Sequence, residues 1–231
     1  MREILDQLLD NARIWQASRH QQVLGAAAES TGFAALDAQL PGGGWPRGAL
    51  IECLTPAPGI GELRLLLPAL CRLSRAGQTV FWIDPPHTPY APALARAQVE
   101  LNQVVSMQTQ SREDRLWALE NCLRSHTTGL AMIWLDTARR SDIRRIQLAA
   151  EAGDNLCVLF RDARYADQSS PAALRLQLTP LANGQLQANI LKRRGGWPVD
   201  GLTLPLAPVA PAQDAEALPG NVIRGPWPQP H

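Results

Sequence analysis

Short apolar runs alternate with helical stripes over most of this chain. The runs Ala49–Leu54, Gln78–Ile83, Gly129–Leu135, Leu156–Phe160, Leu174–Leu178 and Leu186–Leu191 are bounded by Gly, Pro or Asp, and they predict buried strands. Between them, Leu63, Leu66, Leu67, Leu70 and Leu73 recur at helical spacing, with Pro68 predicted to kink that helix. Leu116, Leu119 and Leu123 mark a second helix. A third is predicted to start at Ser141 as N-cap, to turn Ile143, Ile146 and Ala150 inward and to stop at Gly153. Strand and helix in alternation define an α/β domain with a mostly parallel central sheet and helices on both faces. The last two runs meet across Asn183-Gly184, a hairpin signal, so the sheet is expected to end in antiparallel C-terminal strands.

Three regions follow from this pattern. In residues 1–29, Ile4, Leu5, Leu8, Leu9, Ala12 and Trp15 form an amphipathic stripe, followed by a flexible linker at Gly25–Glu29. Such a helix either packs on the core or docks a partner. Residues 30–195 form the α/β core. Residues 196–231 change character, because eight of the 19 prolines lie beyond position 197 and large aliphatics are scarce. A tail of that composition is expected to stay mobile, since it cannot offset its ordering entropy.

Composition narrows the chemistry. The 231 residues carry 22 basic and 21 acidic side chains, a net charge of +1, which argues against a strongly basic nucleic-acid sleeve. Lys192 is the single lysine; every other basic residue is Arg. The four cysteines lack a C-x-x-C pair and the four histidines lack ligand spacing, so no metal site is expected. No run of 18 apolar residues occurs, and no signal-peptide segment follows Met1-Arg2-Glu3. The expectation is a cytoplasmic protein that contacts no membrane.

In a parallel α/β domain, phosphate is commonly bound at the turn from first strand to first helix. Here that turn reads Leu54-Thr55-Pro56-Ala57-Pro58-Gly59-Ile60-Gly61-Glu62-Leu63. A working phosphate loop, G-x-x-x-x-G-K-[ST], needs backbone N–H donors, a lysine against the phosphates and a hydroxyl on magnesium. Pro56 and Pro58 lack an N–H, Glu62 stands in the lysine place and Leu63 in the hydroxyl place. No lysine precedes Lys192 to rescue another register. No nucleotide cofactor and no catalytic residue are therefore expected.

The stretch Ser30-Thr31-Gly32-Phe33-Ala34-Ala35-Leu36-Asp37, continuing through Leu40-Pro41-Gly42-Gly43-Gly44-Trp45-Pro46-Arg47-Gly48 into Ala49, resembles the lead-in to the RecA recombinase core. Val80-Phe81-Trp82-Ile83-Asp84-Pro85-Pro86-His87 is similar to the second core strand of that family, and the resemblance puts its catalytic glutamate on Pro86. Met132-Ile133-Trp134-Leu135-Asp136 resembles the Walker B strand, leaving Asp136 as a remnant in the magnesium-associated place. The two loops that hold single-stranded DNA in RecA correspond to Thr137–Arg140 and Asp162–Ser170, both short. Ile190-Leu191-Lys192-Arg193-Arg194 resembles a strand whose lysines reach a neighbouring subunit's nucleotide in RecA filaments. These three cations contact DNA phosphates or an acidic protein face, or form a solvated strand end.

A RecA-like core with a degenerate phosphate loop (Thr55, Pro56, Pro58, Gly59, Gly61, Glu62) resembles the ImuA family of translesion-synthesis accessory proteins and the cell-division inhibitor SulA family. Gly59–Leu70 and Pro85–Leu94 are similar to segments of both, whereas the N-terminal helix with Trp15 and the long tail favour the first. The resemblance implies a non-enzymatic SOS adaptor. The partners it implies are ImuB (an inactive Y-family polymerase relative), the error-prone replicative polymerase α subunit and RecA, with at most weak DNA contact. The SulA alternative implies inhibition of the tubulin-like division GTPase.

Overall fold

A computed structural model describes residues 28–135 and 137–206. The chain enters through a two-residue strand, β1 (Ala28–Glu29), paired antiparallel with β2 (Trp45–Pro46). Between them lies the one-turn helix α1 (Ala34–Asp37). The Asp37 carboxylate accepts hydrogen bonds from the Thr31 N–H at 2.8 Å and the Ser30 hydroxyl at 2.7 Å, closing the turn. Gly32 has φ of 84°, and a Cβ there would sit 2.6 Å from the Pro68 ring. Only glycine allows this approach. The Ser30–Asp37 stretch is thus a packing motif that seats the lead-in segment on the next helix.

The main sheet follows: β3 (Ala49–Thr55), α2 (Glu62–Arg75), β4 (Thr79–Ile83), α3 (Ala91–Arg96), β5 (Val104–Met107), α4 (Arg112–Arg124), β6 (Thr128–Trp134), α5 (Arg140–Gly153), β7 (Leu156–Asp162), β8 (Leu174–Pro180), β9 (Leu186–Lys192) and β10 (Val199–Leu204). Eight strands lie in the order β10-β9-β8-β3-β7-β6-β4-β5. All neighbours from β8 to β5 are parallel, and β8-β9-β10 are antiparallel. This is the α/β architecture with antiparallel C-terminal strands that the sequence pattern predicts, and it is consistent with a RecA-like core.

Two apolar layers cover the sheet. On one face, Leu65, Leu66, Ala69, Leu70 and Leu73 of α2 pack over Ile51, Cys53, Val80, Trp82, Met132 and Val158. On the other, α4 and α5 bring Leu116, Leu119, Leu123, Ile143 and Ile146 against Leu50, Ile133 and Leu159. Burying one such leucine contributes about 1.5–3 kcal/mol, so the α2 stripe outweighs the about 3 kcal/mol a mid-helix proline costs. Helix α2 accordingly continues through Pro68 as a single element.

Three expectations need correction. Ser141 lies inside α5, not at its cap; the helix starts after Arg139, whose N–H donates to Asp142 Oδ2 at 2.7 Å. Strand β5 was absent from the pattern because Val104–Met107 is a short, half-exposed edge. The core does not end at residue 195: β10 pairs with β9, placing Leu204 at 0% and Leu206 at 8% exposure. An edge strand needs backbone partners and a few leucines, and the proline-rich average of its surroundings hides both. The remaining tail and the stretch before Ala28, Trp15 included, lie outside the described residues.

Under this sheet is a charged group that the pattern does not announce. Glu52 of β3 is fully buried and ion-paired to Arg161 of β7 and, at 2.5 Å, to Arg175 of β8. Taking charges out of water costs several kcal/mol per ion, and mutual pairing offsets this only while every member is present. Replacing Glu52 with Gln leaves two buried guanidinium groups facing each other. The expected loss is about 3–5 kcal/mol in urea unfolding. An unchanged midpoint would refute the pairing.

Candidate functional site

The turn after β3 directs two backbone N–H groups at one point, and a carboxylate of the chain already holds them. Thr55 ends β3 with its side chain largely buried, while Pro56, Ala57, Pro58 and Gly59 are exposed. Gly61 caps α2 with φ of 110°, a left-handed conformation in which a side chain would also strike Leu206. Glu62, the first residue of α2, is only 3% exposed and folds back on the loop. Its Oε1 accepts from the Gly59 N–H at 2.9 Å and its Oε2 from the Gly61 N–H at 3.1 Å. A negative group on orphan N–H donors at a helix start is favourable for the same reason that phosphate is, since donors and helix dipole both point at it.

The fit of a nucleotide can be judged from this geometry. The donors a β-phosphate would need are held by a carboxylate of the same charge sign, and the one lysine, Lys192, is bonded to the Ser170 carbonyl instead. A triphosphate would have to displace Glu62 or lie against it, with repulsion of about 4 kcal/mol at close range in a partly desolvated site. The residues present do not fit the triphosphate that this loop position implies. Burial first, then the Glu52 and Glu62 carboxylates, push the neighbouring Cys53 thiol far above its ordinary range. Cys53 is therefore inert as a nucleophile.

The other ATPase positions scatter. Pro86 is exposed in the loop after β4 and supplies no carboxylate. Asp136 lies outside the described residues. Asp84, two residues before Pro86, is structural: its carboxylate accepts from the Thr109 N–H at 2.6 Å and pairs with Arg115.

The three cations near the end of β9 do not form one patch. Strand alternation splits them. Lys192 donates to the Ser170 carbonyl at 2.8 Å, and burial, with Arg175 and Arg194 next, lowers its pKa. Arg193 turns to the opposite side, donating to the Trp197 carbonyl at 3.0 Å and to the Gln39 carbonyl. Arg194 pairs with Glu151 of α5 at 2.8 Å. Near the start of α5, Arg112 pairs with Asp142 and Arg145 with Glu120.

Sequence reasoning missed the clamp on the two loops. Arg175 of the Glu52 group donates to the carbonyls of Tyr165 at 2.8 Å and Ala166 at 3.1 Å. Arg161 stacks over the Tyr165 ring at 4.2 Å. Its guanidinium also reaches the Ala138 carbonyl at 3.5 Å, so one buried triad fastens the loops after β6 and β7 together. The available signal was a charged residue, Glu52, Arg161 or Arg175, within each of three neighbouring strands whose other buried positions are mostly apolar.

The filled loop opens onto a groove of about 1110 Å³, floored by Trp82 and Trp134 and walled by Leu63, Leu67 and Cys71 of α2. Pro86, His87 and the start of α3 form its far side, and Leu204 and Pro205 close one end. Its walls are mostly apolar. Trp82 is 2% exposed, stacks on Trp134 with centroids 5.9 Å apart, and its indole N–H has no acceptor among the described residues.

Comparison with known proteins places the chain beside RecA and SulA. It is 28% identical over 168 residues to the RecA protein of Chlorobaculum parvum, covering 72% of this chain and 46% of that protein. It is 32% identical over 130 residues to the RecA protein of Delftia acidovorans, covering 55% of this chain and 34% of that protein. It is 27% identical over 114 residues to the cell division inhibitor SulA of Edwardsiella piscicida, covering 48% of this chain and 68% of that protein. No protein-family model matches the chain. The chain spans less than half the length of the RecA proteins it matches. The protein is RecA- and SulA-related.

The cradle makes a direct prediction. Glu62→Ala orphans two N–H donors and is expected to cost about 2 kcal/mol in denaturant unfolding. Millimolar inorganic pyrophosphate should then raise the melting temperature of the variant and leave the wild type unmoved. Equal responses of the two proteins would mean that Glu62 does not occupy an anion site.

Proposed function

We propose that this chain is a non-enzymatic accessory protein of SOS-induced translesion DNA synthesis, a mutasome adaptor on a RecA-like fold without ATPase machinery. The observation that carries the reading is the Glu62 carboxylate seated on the Gly59 and Gly61 N–H groups. A nucleotide switch cannot run through donors that an internal anion holds. The loops pinned by Glu52, Arg161 and Arg175 support the same reading, because the RecA resemblance assigns DNA to mobile loops there.

What remains useful in such a fold is its surface. The adaptor would hold ImuB, the inactive Y-family polymerase relative, and the error-prone replicative polymerase α subunit near a lesion, with RecA as a third partner. Tethering raises local concentration without any chemical step. Lys192, Arg194 and Trp15 stay candidate contact residues, whereas Arg193 is committed to the lead-in segment.

A pull-down with tagged ImuB is expected to retain both the full chain and a chain lacking residues 207–231. Failure of both would overturn the adaptor reading. Titration with fluorescent ATP is expected to show no saturable binding, and micromolar affinity would sink the non-enzymatic assignment.

The SulA similarity over two thirds of that protein's length favours a second reading, inhibition of the tubulin-like division GTPase at a filament end. Overexpression separates the two. Undivided filamentous cells favour the inhibitor, and normal division favours the adaptor.

A further inference from the structure

The groove beside the filled loop has an apolar lining and both ends of the described chain at its edge. On the N-terminal side, Arg72 lines the groove and also binds Glu29 at 2.7 Å, one residue after the described chain begins. On the C-terminal side, Leu204 and Pro205 line it, and the Leu206 carbonyl accepts from Arg64 at 2.9 Å. The described chain therefore begins and ends near its rim.

Of residues 1–27 and 207–231, only the first stretch carries a matching face. Ile4, Leu5, Leu8, Leu9, Ala12 and Trp15 recur at helical spacing, whereas residues 207–231 hold prolines and scattered aliphatics with no stripe. As a helix, the stretch from Ile4 to Trp15 would be about 18 Å long. The seven residues from Gln21 to Ala27 span at most about 25 Å, enough to bring it back over α2. The groove rim carries Arg64, Arg72 and Arg96, of which Arg72 already pairs with Glu29 and Arg64 with the Leu206 carbonyl. Residues 3–20 carry Glu3, Asp6 and Asp10 against Arg13 and Arg19, so apolar burial rather than charge carries the fit.

We propose that the groove over α2 is the seat of the chain's own N-terminal amphipathic segment, residues 3–20, bound within the same molecule. An internal occupant of this kind buries Leu63, Leu67 and Trp134. It also gives the surface a built-in competitor, so a foreign amphipathic helix binds there only by displacing it. The inference is independent of the adaptor reading, since it concerns the free protein.

Cys71 supplies a native reporter. It lines the groove and is partly exposed, whereas Cys53, Cys122 and Cys157 are buried. Burial raises the Cys122 thiol to about 11 and moves Cys53 and Cys157 further up, so these three react slowly. In the full chain, a thiol reagent is expected to label Cys71 about tenfold more slowly than in the Leu5→Glu, Leu8→Glu double variant, because opening of the seat must precede reaction. Circular dichroism of the variant confirms that the core stays folded. Equal rates overturn the proposal and leave the groove open for a foreign partner. A second arm uses the full chain with Leu8→Cys, oxidised by diamide at several protein concentrations. A disulfide to Cys71 within monomers, in concentration-independent yield, supports the proposal. Linked dimers whose yield rises with concentration assign the seat to a second copy and overturn it, as does the absence of any cross-link.

Discussion

Two hydrogen bonds define this protein: those that the Glu62 carboxylate accepts from Gly59 and Gly61. A loop that curls its N–H groups toward one point at a helix start creates a concentrated positive field. That field must be met by water, by a ligand anion or by the protein itself. Here the anion is covalently attached one position into the helix, so no ligand concentration governs its presence. The loop is closed by bonds within the chain itself.

The same logic of internal satisfaction extends along the ends of the strands. Glu52 holds Arg161 and Arg175, and these in turn hold the carbonyls and ring of the segment Ala138 to Ala166. A buried ion triad is costly to assemble compared with an apolar core, and its return is geometric specificity. It converts two loops that could move into walls of fixed shape. The loop after β3 and the strand-end loops are thus both contacted by carboxylate-centred groups, Glu62 at the start of α2 and the Glu52 triad within the sheet.

With these two regions immobilised, the accessible chemistry shifts to the groove over α2. Its floor is Trp82 stacked on Trp134, with Phe160 stacked on Trp134 in the core, and the described chain begins and ends near its edges. An apolar cleft of this size, beside a loop whose N–H groups a carboxylate already holds, is better suited to side chains of a helix than to a triphosphate. Recognition then depends on burial of apolar surface, which requires no turnover.

The sequence by itself determined the α/β layering, the strands from β3 to β9 other than the edge strand β5, the antiparallel end and the replacement of lysine by Glu62. Each is written in local periodicity or in a single loop, within reach of nearest-neighbour rules. Only the tertiary structure decided that the Glu62 carboxylate occupies the cradle, because that depends on how the loop closes. The triad joins residues 109 and 123 positions apart, which become neighbours only once β3 inserts between β7 and β8. The apparent cluster Lys192, Arg193, Arg194 was split because Arg193 turns away to the Trp197 and Gln39 carbonyls, while Lys192 and Arg194 stay within electrostatic reach of each other. The expected stop at residue 195 gave way to β10 because a strand at a sheet edge takes its stability from the backbone beside it, a partner that composition does not record.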